Sequence, residues 1–246
     1  MFITSLEDEI GIVSINRPDS RNALNRSMWQ GVTELIGELE AKGARTIIFC
    51  GEGEVFGAGA DLGELKAIAA LDQAETIWGA IAGALEAIAG AKAVTIAAVH
   101  GACLGGGCLL ATACDFRYAS TKASFGIPIA RLGIILDDRT IARLARLIGE
   151  AMVKELLFTA RVLASDEALK IGLVTDVKDM SREALITYCR AKALETNQNS
   201  RQSIEAAKAS LKRISRGNFE NNEAEVCASY VSSEFRHRIK QFFQEN

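Results

Sequence analysis

Hydrophobic positions recur along this chain with two periods, and the switches between them predict most of its elements. Residues 11–16, G-I-V-S-I-N, alternate apolar and polar positions like a half-buried strand, which Arg17 and Pro18 end. From about Asn25 the spacing lengthens, and Met28, Val32, Leu35, Ile36 and Leu39 fall on one face of a helix. Residues 46–50, T-I-I-F-C, read as a short buried strand. Strand, helix and strand in that order predict a parallel pair joined by a right-handed crossover. A glycine-rich loop follows at 51–63, with Asp61 placed to begin a helix. Asp72, with Glu75 three residues on, predicts a capped helix running to about Ile88. Further strands are expected at 94–99, 115–119 and 172–177.

Beyond Asp179 the strand signals stop. Helices are predicted over 182–196, 201–214 and 223–243, the last with Cys227, Val231, Phe235 and Ile239 at i+4 steps and Phe242 and Phe243 beyond them. The expected architecture is an α/β core over residues 1–180 and a helical region over 181–246.

Composition narrows the ligand more than the fold. The 246 residues are 49% hydrophobic and 24% charged, an ordinary globular balance. With a net charge of -3 and no dense basic cluster, neither nucleic acid nor a membrane surface is an expected partner, which leaves a small molecule. No apolar run reaches the ~18 residues of a membrane span and no signal peptide precedes Phe2, so a cytoplasmic location is expected. The six cysteines lack C-x-x-C spacing and lie mostly in apolar or small-residue runs, as reduced core thiols do. His100 and His237 are too few and too scattered to predict a metal site.

Two glycine-rich segments carry the candidate chemistry: 56–62, F-G-A-G-A-D-L, and the run Gly105, Gly106, Gly107. Each sits after a predicted strand and before a predicted helix. Neither forms G-x-x-x-x-G-K or G-x-G-x-x-G, so neither is a nucleotide motif. Without side chains, the 105–107 run exposes backbone N–H groups at the positive end of a helix, where a developing negative charge is stabilised. Taken singly, each segment is also compatible with close strand-helix packing alone.

Together with 16–25, N-R-P-D-S-R-N-A-L-N, these segments resemble the crotonase superfamily, the enoyl-CoA hydratase/isomerase family. H-G-x-x-x-G-G-G from His100, A-x-F-G-x-P at 123–128 and A-x-x-x-G-L-V at 168–174 extend the resemblance over nearly the whole chain. It implies a crotonase-like spiral of ββα repeats with a C-terminal helical trimerisation region, assembly as a homotrimer or dimer of trimers, and an acyl-CoA thioester ligand. CoA would then be part of the substrate, with no separate cofactor. By the same resemblance the backbone N–H groups of Ala60 and Gly106 form an oxyanion hole. Ala58, Ala60 and Leu62 offer main-chain groups to the CoA adenine, and Arg21 faces its phosphates. Phe235 and Arg238 reach the CoA of an adjoining subunit, and for Arg21 and Arg238 a solvated surface role is the alternative.

The chain departs from the family pattern where proton transfer is concerned. Hydratases of the family carry one glutamate three residues after the middle glycine and another directly after the proline of F-G-x-P; those positions here are Leu109 and Ile129. Neither moves a proton. Eight residues beyond Ile129 lies Asp137, followed by Asp138, where divergent members place an aspartate that exchanges a proton or acts as a nucleophile. An aspartate in L-D-D-R-T-I-A-R-L is equally a helix N-cap. A structural hydrogen bond is the expected role of His100, and a solvated helix face that of Glu64 and Lys66, with the border of the acyl pocket as their alternative. Leu109, Ile127, Ile129 and Ile134 would make that pocket apolar. Two functions follow: an acyl-CoA enzyme of isomerisation, proton exchange or atypical hydration, with Asp137 as acid/base, or an acyl-CoA binding protein that kept the fold and lost the chemistry. Nucleophilic attack by Asp137 is a third.

Overall fold

The computed structural model describes residues 1–244 and divides the chain into two compact units, 1–197 and 198–246. In the first unit β1 (Phe2–Glu7) and β2 (Ile10–Ile15) form an antiparallel hairpin whose turn residues, Asp8 and Glu9, both have positive φ. That is the backbone twist a two-residue hairpin loop requires. Next comes α1 (Arg26–Ala41), started by the Asn25 side chain, which accepts the Met28 N–H.

Three ββα repeats follow. The first is β3 (Thr46–Gly51), β4 (Val55–Gly57) and the helices α2 (Leu62–Lys66) and α3 (Leu71–Gly90). The second is β5 (Val94–Val99), β6 (Ala102–Leu104) and α4 (Gly106–Ala113). The third is β7 (Phe116–Ser120), β8 (Ser124–Gly126), a 3₁₀ turn at Pro128–Leu132 and α5 (Asp138–Thr159). Each repeat gives its first strand to one sheet and its second to another. With β9 (Val162–Ala164), α6 (Ser165–Lys170), β10 (Asp176–Lys178) and α7 (Arg182–Asn197), the result is a six-stranded sheet β1-β2-β3-β5-β7-β10 and a four-stranded sheet β4-β6-β8-β9. From β2 to β10 the large sheet is parallel, as is β4-β6-β8. This is the α/β spiral of ββα repeats that the resemblance implies.

Every residue of β3 and β5 is buried, as a parallel strand covered on both faces must be. Trp29, Phe49, Phe56 and Phe125 are the large side chains at the centre, and α1 packs against α3. Five of the six cysteines are buried thiols, and Cys227 is an exposed one. Because α7 packs on β3, β5 and β7, it belongs with the first unit, so the expected division at 180/181 falls one helix before the observed one.

Several expectations are corrected. The strand placed at 172–177 is confined to Asp176–Lys178, since Gly172 turns the chain with φ +80°. Asp72 and Glu75 do not cap α3: the helix starts two residues earlier than that box would place it, behind Ala70, and the Gln73 side chain reaches back to accept the Ala69 N–H. The single helix predicted over 223–243 is two.

The second unit holds α8 (Arg201–Ser215), α9 (Glu223–Tyr230) and α10 (Ser233–Gln244). Between the last two, Ser232 Oγ accepts the Phe235 N–H at 3.0 Å and starts a new helix where the i+4 pattern ran on unbroken. None of these three helices has a buried residue; Leu211, Tyr230, Val231, Phe242 and Phe243 are all more than half exposed. Among the described residues no helix is long and apolar enough to cross a membrane.

Candidate functional site

The site is built where two glycine-rich loops touch. The first is tied down by Asn22, whose buried side chain accepts the Arg17 N–H at 2.9 Å and donates to Glu52 O and Val55 O. Residues 58–61 are then stitched to residues 21–24: Ala58 N–H donates to Arg21 O, Leu24 N–H to Gly59 O and Asp61 N–H to Leu24 O, at 2.8–3.0 Å. The pattern passes over the Ala60 N–H. Asp61 closes the loop by accepting the Gly63 and Glu64 N–H groups, so capping α2, and by pairing with Arg17 at 2.9 Å. The hydrogen bond from Arg17 holds its carboxyl below the usual carboxylate range.

In the second loop, Gly105 has φ +51° and donates its N–H to Gly126 O at 2.8 Å. Gly106 is the first residue of α4, so its N–H has no acceptor within the helix. The two loops meet at their glycines. A methyl on Gly59 would lie 2.7 Å from the Gly106 nitrogen, and one on Gly107 2.3 Å from Gly57 O. One on Gly106 would lie 2.9 Å from the Trp29 ring and 3.3 Å from the Ala60 nitrogen. This contact brings the Ala60 and Gly106 nitrogens next to each other. Among the described residues neither N–H donates to a backbone or side-chain acceptor.

The apolar residues expected to line an acyl pocket belong to the core of the first unit. Leu109 and Ile127 are buried in the core, joined by Leu136, and Ile129 packs against them. Ile134, expected beside them, is 40% exposed. Asp137 is half-buried and caps α5, its Oδ1 accepting the Thr140 N–H at 2.7 Å; α5 packs against α4 and the 128–132 turn. The capping role read from sequence is therefore present. Asp138 is exposed in the first turn of α5.

Other candidates differ from expectation. The structural hydrogen bond expected of His100 is not made: buried Nδ1 has no partner, and Nε2 stands 3.7 Å from the Glu54 carboxylate. Glu64 is not merely solvated, because its carboxylate accepts the Arg26 N–H at 2.6 Å. Lys66, Leu62 and Arg21 are exposed, and Ala58 is half-buried. In the second unit, Arg238 donates to Glu234 at 2.8 Å and to Gln198 O at 3.0 Å, and Phe235 stands edge-on to Tyr230; both line a cavity of about 260 Å³. No group of three or more potential metal ligands occurs among the described residues. Trp29 went unread in the sequence, although it shares the buried face of α1 with Val32 and Ile36. Arg17 and Asn22 were legible only as motif letters.

A ββα spiral whose glycine loops leave two adjacent N–H donors unpaired defines a crotonase-type protein. The chain belongs to the enoyl-CoA hydratase/isomerase family, whose sequence model matches residues 5–243. It is 39% identical to a short-chain-enoyl-CoA hydratase of Clostridium acetobutylicum over 183 residues, covering 73% of this chain and 69% of that protein. It is 32% identical to the mitochondrial Delta(3,5)-Delta(2,4)-dienoyl-CoA isomerase of Mus musculus over 221 residues, 85% of this chain and 67% of the relative. Among solved structures, a putative enoyl-CoA hydratase/isomerase family protein from Hyphomonas neptunium superposes with a TM-score of 0.93 at 28% identity, covering 100% of this chain and 95% of that one.

Proposed function

We propose that this protein binds an acyl-CoA thioester with its carbonyl oxygen between the Ala60 and Gly106 N–H groups, stabilises the enolate there, and moves a proton of the acyl chain with Asp137. The observation that carries this reading is the pair of neighbouring, unpaired N–H donors. Such donors are preorganised for an oxygen that gains charge in the transition state, and one of them is worth ~3 kcal/mol in comparable sites. With Leu109 and Ile129 at the places of the two glutamates, addition of water by a carboxylate pair lacks its groups, and double-bond isomerisation or proton exchange is the reaction that suits an apolar pocket with one carboxylate. Similarity to a dienoyl-CoA isomerase over most of the chain supports this. Asp137 has Oδ1 fixed by Thr140, which leaves its other oxygen for the substrate; Asp138 is the adjacent alternative. Ala58, Leu62 and Arg21 meet the CoA moiety, and Phe235 and Arg238 meet that of a neighbour in a homotrimer or dimer of trimers.

A second reading, acyl-CoA binding without chemistry, is favoured by one specific observation: Asp137, the carboxylate first assigned to catalysis, already serves as a helix cap. The two separate on a panel of enoyl-CoA and dienoyl-CoA esters. Turnover of an ester, lowered at least about a hundredfold by Asp137→Asn, is the expected result, because general acid–base groups contribute on that scale and asparagine keeps the cap. Full activity in that variant removes Asp137 from the mechanism. Calorimetric binding of the esters without turnover of any establishes the second reading.

A further inference from the structure

Arg117 is a charged side chain shut away from water, only 4% exposed. Its guanidinium donates to main-chain carbonyls: Nε to Leu173 O at 2.7 Å, and Nη1 to Cys114 O at 2.7 Å and Ala111 O at 3.4 Å. Ala111 lies in the last turn of α4 and Cys114 is its C-cap. The guanidinium thus sits on the negative end of the helix whose first N–H belongs to Gly106. Its own backbone is fixed from the other side, Arg117 N–H donating to Thr175 Oγ1 and Thr175 N–H to Arg117 O.

We propose that Arg117 is a positioning residue for the thioester site: it anchors the C-terminal end of α4 and cancels that end's negative pole, so that the Gly106 N–H meets the carbonyl oxygen with its positive potential uncompensated. The inference rests on the oxyanion reading above. A short helix brings both poles close to its ligand. The eight residues of α4 span ~12 Å, and a unit charge at that distance, at an effective dielectric constant of about 20, shifts an anion's equilibrium about tenfold.

Of the groups beside Arg117, the thiols are neutral and one carboxylate offsets part of the field. Burial pushes the Cys103 thiol well above its ordinary range, so it stays neutral beside Cys108 and Cys114. Asp115 is half-buried; its carboxylate accepts the Thr95 N–H at 2.7 Å and the Thr95 hydroxyl at 3.0 Å, and its charge acts on Arg117. Burial lowers the Arg117 pKa, but a guanidinium remains charged in a protein.

The test is the enolisation of a bound β-oxoacyl thioester, acetoacetyl-CoA, read as near-ultraviolet enolate absorbance against pH with the full-length chain. Arg117→Gln, which keeps a hydrogen-bond donor and removes the charge, is expected to raise the apparent pKa of the bound ester by about one unit, a tenfold loss of enolate. Arg117→Lys keeps the charge and stays near wild type. A role confined to stitching the fold would lower stability in both variants without moving that pKa. Should Arg117→Gln not fold, Cys114→Asp sets a carboxylate beside the intact guanidinium and is expected to give the same rise. An unmoved pKa in the charge-neutralised protein overturns the proposal. If wild type itself does not lower the pKa of bound acetoacetyl-CoA below that of the free ester, the oxyanion reading fails instead, and the two failures are told apart.

Discussion

Gly106 has room for a hydrogen and nothing larger on the side that faces Trp29. A methyl there would stand 2.9 Å from a buried ring that has nowhere to go, and 3.3 Å from the nitrogen of the second donor. Gly106→Ala is accordingly expected to lose at least two orders of magnitude in turnover of whichever thioester reacts, and about 1–3 kcal/mol of stability from overpacking. Gly83, in α3, provides the contrast: an added methyl meets nothing within 4 Å, and its φ is not in the left-handed region. Gly83→Ala should stabilise the protein by about 0.5–1 kcal/mol, since alanine loses less entropy in a helix, with activity unchanged. Urea denaturation and steady-state rates on the same preparations separate the two glycines.

At the scale of the element, α2 shows how a short helix holds a glycine-rich loop. Five residues cannot sustain a helix by propensity. The Asp61 side chain accepts the N–H groups of Gly63 and Glu64, while its ion pair with Arg17 ties the start of α2 to the 3₁₀ turn at Pro18–Ser20. The folded state therefore holds Asp61 below its unfolded pKa. Stability from this group is present above the unfolded value, about 3.9, and is lost as the pH falls through the lower folded value. Asp61→Asn keeps the capping geometry and removes the charge, so the acid limb of stability below about pH 4 should flatten in this variant, measured by chemical denaturation across the pH range. An acid limb identical to wild type would show that Arg17 contributes nothing through Asp61.

Across the whole molecule, the first unit has a continuous core and the second has none of its own. Three helices that leave Leu211, Tyr230, Val231, Phe242 and Phe243 to solvent are expected to be covered by other copies of the chain, as the proposed trimer provides. Light scattering should give three or six times the chain mass, and Val231→Glu with Phe242→Glu should lower it. A monomer in wild type would remove assembly from the proposal.

Some of this was legible from residues alone. The period of 3.6 in residues 28–39, the apolar runs at 46–50 and 94–99 and the helix starts at Asn25 and Asp61 are local, and local preference survived tertiary packing at those places. The family, and with it the acyl-CoA ligand class, was legible because glycines and asparagines at fixed spacing mark backbone that must approach something closely. The four-stranded sheet was not, because strands of three residues carry no measurable period. The resemblance already paired Ala60 with Gly106, but no local signal relates the two glycine loops, and how closely they press together was decided by the tertiary structure. Only it placed Arg117 on the far end of the helix that begins there. Both depend on contacts made through the core, where packing joins residues whose separation along the chain says nothing about their distance.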